Sequence, residues 1–297
     1  MPIQILKTIL FAGALIVGQS AIAADAETSQ ASPSRYTAET IGTGDVTLYI
    51  PGLTSSPRHF KASLPATGES RLVTLAGFAG LEPAPSSDNF VEAAVDALAA
   101  DIVTEDLSGL QIVGHSLGGV VALLLAEKLP DRIDGIMIVD SVPFLPALFQ
   151  PGATEAAAKQ QAAAIQAQMS SQPRDQFLAT MRQGLPRQAT SLESQAEVFK
   201  DIEASDQATI AKAMSDLMGT DYGHRLKNIT VPVTVLVPHN AFLGTPPEAW
   251  KARYQQLYSG LETGQFDIIE DSRHFIMLDQ PDAFKAALAK FLEAHNG

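Results

Sequence analysis

Two kinds of apolar pattern alternate along the chain. Short runs dominated by apolar residues, at Val46–Ile50, Arg71–Ala76, Leu110–Val113, Ile133–Val139, Val231–Val237 and Phe266–Ile269, read as strands with both faces covered. Between them, apolar residues recur at helical spacing. Phe90, Val91, Ala94 and Leu98 mark a helix over Ser87–Leu98, with Ser86–Asp88 as its capping candidates. Val120–Ala126 continues as a buried helix stopped by Pro130. Pro247–Tyr258 and Pro281–Ala294 predict two more, the latter with proline in its first turn. Strand and helix in alternation predict an α/β fold on a mostly parallel, doubly wound sheet.

The alternation breaks after Pro143–Phe144–Leu145–Pro146. From Pro151 to Asn228 the chain is rich in Ala, Gln, Met and Ser and has no strand-like run. Helices fit at about Thr154–Ser170, Arg174–Gly184, Leu192–Glu203 and Ala208–Met218. The expectation is a helical cap, residues 143–228, inserted into a core made of 35–142 and 229–297. Met169, Met181, Met214 and Met218 within it are either a soft lining for substrate or helix-packing residues.

The N-terminus stands outside that scheme. Lys7, the apolar run Ile9–Val17 and Ser20–Ala21–Ile22–Ala23 form a secretory signal peptide over residues 1–23, and 24–34 is a small, polar tail. The expected location is the periplasm or the medium, with no membrane anchor. Cysteine is absent, so core packing alone must hold the fold wherever it is exported. The formal charge of −13 on 297 residues excludes nucleic acid as a natural partner and leaves the substrate open. No metal-ligand cluster or phosphate-cradling glycine loop occurs, so no cofactor is expected.

The chemistry concentrates at Gly114–His115–Ser116–Leu117–Gly118–Gly119, a serine flanked by glycines where a strand passes into a helix. Such a turn lifts the hydroxyl clear of the sheet, beside the amides that open the helix. A serine hydroxyl needs a base within hydrogen-bond reach. Of the six histidines, His274 lies in the loop after the final strand, which returns to the sheet edge beside Ser116. Asp140 ends the strand Ile133–Val139, at the carboxyl edge where open α/β sheets bind ligands.

GHSLGG, the later Ser272–Pro281 segment and the early Tyr49–Ile50–Pro51–Gly52–Leu53 together resemble the α/β-hydrolase superfamily, from about Val46 to the C-terminus. The resemblance implies an oxyanion hole formed by the Leu53 and Leu117 amides, although Pro51 stands where many relatives carry His. It also implies an acid after Val231–Val237, but that loop reads Pro238–His239–Asn240–Ala241 and has none before Glu248. Some members take the acid from the earlier strand end, which here is Asp140. Asn240, an unassisted Ser–His dyad, Glu270 and Asp271 remain the alternatives. The activity so implied is acyl-bond hydrolysis of a small-molecule ester with an apolar acyl or alcohol part. Acyl transfer to an alcohol or peroxide uses the same residues, and a hydrolase-fold binding protein with little turnover is the rival from another class.

Overall fold

The computed structural model describes residues 34–262 and 264–295. The segment read as a signal peptide, and all but the last residue of the tail, lie outside the described residues. Among the described residues the sheet has seven strands, in the order β1-β3-β2-β4-β5-β6-β7. They are β1 (Tyr36–Thr43), β2 (Val46–Ile50), β3 (Gly68–Leu75), β4 (Leu110–His115), β5 (Ile133–Val139), β6 (Val233–Pro238) and β7 (Gly264–Ile269). Only β1 runs antiparallel, pairing with β3 from Tyr36↔Leu75 to Thr43↔Gly68. The rest are parallel neighbours.

Because strand side chains alternate, the sheet divides its apolar residues between two cores. Leu48, Ile50, Ile112, Ile136, Ile138 and Val235 face one side. There they meet α2 (Phe90–Thr104), α3 (Leu117–Lys128) and α9 (Pro247–Leu257). Tyr49, Leu72, Val113, Met137, Val139 and Leu236 face the other, with α1 (Arg58–Lys61), α10 (Ile276–Asp279) and α11 (Pro281–His295). Every residue of α3 from Leu117 to Ala126 is buried, which accounts for its unbroken apolar sequence. The helix expected at Ser87–Leu98 begins three residues later and ends at Thr104, and its cap is Asn89 rather than Ser86–Asp88. Asn89 lies in extended backbone, and its Oδ1 accepts the Glu92 amide at 3.0 Å.

Between β5 and β6 the chain forms α4 (Leu145–Phe149), α5 (Glu155–Ser171), α6 (Arg174–Gly184), α7 (Leu192–Ala204) and α8 (Gln207–Gly219). Polar side chains start three of them: Thr154, Ser191 and Asp206 each accept the amide three residues on. This insertion sits at the carboxyl edge of the sheet, where Asp206 N donates to Gly77 O and Tyr222 N to Pro143 O.

Candidate active site

Ser116 follows the last residue of β4 and opens α3 with φ 53° and ψ −119°. A non-glycine residue there carries about 1–3 kcal/mol of strain. The glycines around it let the backbone close up. A Cβ on Gly114 would lie 2.3 Å from Gly118 O, and one on Gly118 would lie 2.1 Å from Ile50 O. A Cβ on Gly119 would lie 2.6 Å from Ser141 Cβ. The Ser116 amide donates to Val139 O at 3.0 Å, fixing the turn to β5.

His274 Nδ1 lies 2.6 Å from Asp140 Oδ2. A carboxylate only accepts, so Nδ1 carries a proton and Nε2 is the nitrogen left free to face the cavity as a base. Asp140 leaves β5 in the left-handed region, φ 45°, while its amide still donates to Leu236 O. Its other oxygen accepts the Tyr254 hydroxyl from α9. Burial first, and the Asp140 charge second, push the Tyr254 pKa far up, so this group remains a donor. Asn240 is occupied elsewhere: its Nδ2 donates to Ser272 O and its Oδ1 accepts the Phe242 amide. Glu248, Glu270 and Asp271 are exposed.

The imidazole loop is fixed from both sides. His115 is fully buried, and burial together with the neighbouring His274 holds its pKa well below the ordinary value. It is therefore neutral, and its Nε2–H donates to the His274 carbonyl at 2.9 Å. From the insertion, Gln188 O accepts the Phe275 amide, while Pro186 O and Ala189 O accept the Arg273 guanidinium. Asp279 completes the clamp by accepting from Arg273 N at 2.8 Å and from both Thr190 N and Thr190 Oγ1 at 2.8 Å. Sequence reasoning missed Tyr254, Arg273 and Asp279. Trp250 and Tyr254, one turn apart on α9 and both buried, were the available signal for a helix face bearing a polar tip toward the strand ends.

Leu53 and Leu117 flank Ser116 from two elements, and neither amide has a hydrogen-bond partner among the described residues. Leu53, His115, Ser116, Asp140, Tyr254 and His274 line one cavity of about 520 Å³. Its wider walls are mostly apolar, with Val142, Leu145, Leu148 and Phe149 beyond β5, Met181, Ile202, Met214 and Leu217 from the insertion, and Phe242, Leu243 and Trp250; Ser141, Arg187, Gln188, Asn240 and Arg273 add polar groups. Of the four methionines in the insertion, Met181 and Met214 line the cavity, whereas Met169 packs against the core. His59, His224 and His239 do not reach it. Among the described residues no group of three or more acidic or histidine side chains could hold a metal ion.

Residues 48–287 match the Alpha/beta hydrolase family. The chain belongs to that family. Among curated relatives, it is 27% identical over 234 residues to a pimeloyl-[acyl-carrier protein] methyl ester esterase of Neisseria meningitidis, covering 77% of this chain and 85% of that one. Among solved structures, the hydrolase fold superposes on a thermophilic esterase from Thermogutta terrifontis with a TM-score of 0.72 at 22% identity, covering 88% of this chain and 94% of the other. It also superposes on an enol-lactonase from Burkholderia xenovorans with a TM-score of 0.69 at 16% identity, covering 87% and 96%.

Proposed function

We propose that this alpha/beta hydrolase is an exported serine esterase that works through an acyl-enzyme on Ser116. One observation carries the reading: His274 and Asp140 are hydrogen-bonded in the same cavity that the strained Ser116 turn enters. In the proposed cycle, His274 Nε2 takes the Ser116 proton as Oγ attacks the ester carbonyl. Asp140 then balances the imidazolium, and the Leu53 and Leu117 amides bind the oxyanion. Collapse expels the alcohol, which takes the proton from His274. Water, deprotonated by His274, repeats the sequence on the acyl-enzyme and releases the acid.

The apolar cavity walls support an ester whose acyl or alcohol part is apolar, and a curated relative named for a methyl ester supports an ester bond. Export rests on the Lys7, Ile9–Val17 and Ser20–Ala23 pattern. Intact-mass analysis after a fluorophosphonate probe tests the mechanism. One stoichiometric adduct mapping to Ser116, lost in Ser116→Ala, is expected, together with turnover of p-nitrophenyl esters. Folded protein that stays unlabelled and inert on those esters overturns the reading.

A further inference from the structure

The segment that carries the Leu53 amide is held chiefly from above, by one helix of the insertion. Asp201 on α7 is buried, with 3% of its surface exposed. Its Oδ2 accepts both the Ser56 amide and the Ser56 hydroxyl at 2.9 Å. Its Oδ1 lies 2.8 Å from Arg58 Nη2. One turn on, Ser205 Oγ accepts the Ala79 amide and gives its single proton to Asp201 O at 2.7 Å, with Thr54 O 3.2 Å away. Arg58 Nη2 also donates to Glu197 O on the same helix. Thr54 itself is bent into the left-handed region at φ 63°. Two of the five residues after Leu53, Ser56 and Arg58, are therefore held by α7, and the Ser55 N to Gly52 O turn links them to Leu53.

An apolar residue on α7 would seal the insertion onto the core at less cost than a buried carboxylate. Here the carboxylate does something packing would not: it fixes the direction of a backbone amide three residues from the Leu53 N–H. His59 Nε2 approaches the same oxygen at 3.3 Å, but burial, and then the Arg58 charge, lower its pKa to about 3, so Arg58 is the counter-charge.

We propose that Asp201 is a positioning residue for the oxyanion hole, so that the insertion is a fixed part of the catalytic frame. The inference rests on the serine-esterase reading above. An amide hydrogen bond lost from an oxyanion hole costs about 10²–10³ in kcat; a displaced one should cost about 10–100-fold.

The test compares wild type and Asp201→Asn as full-length mature proteins on p-nitrophenyl butyrate. Each is also titrated with phenylboronic acid, which forms an anionic tetrahedral adduct on the serine, and with butyrate as a ground-state ligand. In the variant, kcat and boronate affinity should fall together by about 10–100-fold, with KM and butyrate affinity within about twofold. Should Asp201→Asn not fold, Ser56→Ala, which removes the hydroxyl bonded to Asp201 Oδ2, carries the same comparison and is expected to show a smaller but parallel loss in kcat and boronate affinity. Wild-type values for both quantities in folded variants would overturn the proposal. So would a uniform loss that includes butyrate binding, the mark of a merely structural contact. A wild-type protein that neither turns over ester nor takes the fluorophosphonate would instead sink the serine-esterase reading, and this inference with it.

Discussion

Asp140 sits where a substitution separates charge from shape. Its φ of 45° is a conformation that asparagine adopts as readily as aspartate. Asp140→Asn therefore keeps the turn, the volume and an oxygen for Tyr254, but it removes the negative charge facing His274 Nδ1 and puts an amide donor there in place of an acceptor. If the carboxylate balances the imidazolium, kcat should fall by about 10³–10⁴ with melting temperature nearly unchanged. Tyr254→Phe removes one neutral donor from a carboxylate that keeps its imidazole, and should cost about 3–10-fold. Steady-state kinetics on both variants checks this, and near-normal turnover in Asp140→Asn would exclude it as the acid. From sequence, Ser116 and His274 stood out because each is marked by its local context, a glycine-flanked turn and a loop after the last strand. Asp140 could be named only among alternatives. Its partner is 134 residues away, and no local pattern reports which of several acids a folded sheet brings to an imidazole.

At the scale of elements, the seating of α3 on the sheet controls both amides proposed for the oxyanion. Gly118 faces Ile50 O and Pro51 O, the backbone that leads into Leu53. A methyl group placed 2.1 Å from a carbonyl oxygen must push the helix off the strand exit. Gly118→Ala should therefore destabilise by about 1–3 kcal/mol and cost at least about 10² in kcat/KM by widening the hole. Gly184→Ala is the control: its backbone is right-handed, and a Cβ there meets nothing nearer than Gln188 Nε2 at 4.0 Å. It should leave activity unchanged and gain a few tenths of a kcal/mol or more. Thermal melts and kinetics on the pair decide it, and equal behaviour of the two alanines would refute the close-seating argument. The buried strands and α3 were legible because burial on both sides writes continuous apolar runs. The edge strand β1 was not: its sequence, Tyr-Thr-Ala-Glu-Thr-Ile-Gly-Thr, is almost wholly exposed and lacks apolar alternation, so only its pairing with β3 makes it a strand. The bonds by which the insertion grips the Leu53 and His274 loops were equally hidden, since most run to backbone carbonyls and amides that any residue supplies.

For the molecule as a whole, acid should be the weak side, and the reason lies in buried histidines. His59 is buried with neither ring nitrogen hydrogen-bonded, and its pKa is lowered from 6.5 to about 3. His115 is lowered in the same direction. A depressed folded-state pKa means that the unfolded chain binds the proton first. The stability each contributes is thus complete above about pH 6.5 and drains away as pH falls toward the folded value. For His59 alone the loss by pH 5 is about 2 kcal/mol, or roughly 4–8 °C in a chain of this size. Asp201 and Glu197 beside it carry the opposite sign: burial raises both, so their terms favour the folded state at low pH and fade as pH rises. The net slope mixes these contributions, and a single substitution separates them. His59→Phe keeps a ring against Phe275, which His59 meets edge-on at 5.2 Å, and gives up no hydrogen bond. It should match wild type at pH 8 within about 2 °C, since that bond-free ring leaves little to lose. Between pH 7 and pH 5 it should lose about 4–8 °C less than wild type does. Melting temperatures measured at half-unit intervals across that range make the comparison. Parallel curves for the two proteins would mean that His59 does not titrate with unfolding, and that the acid sensitivity arises at His115 instead.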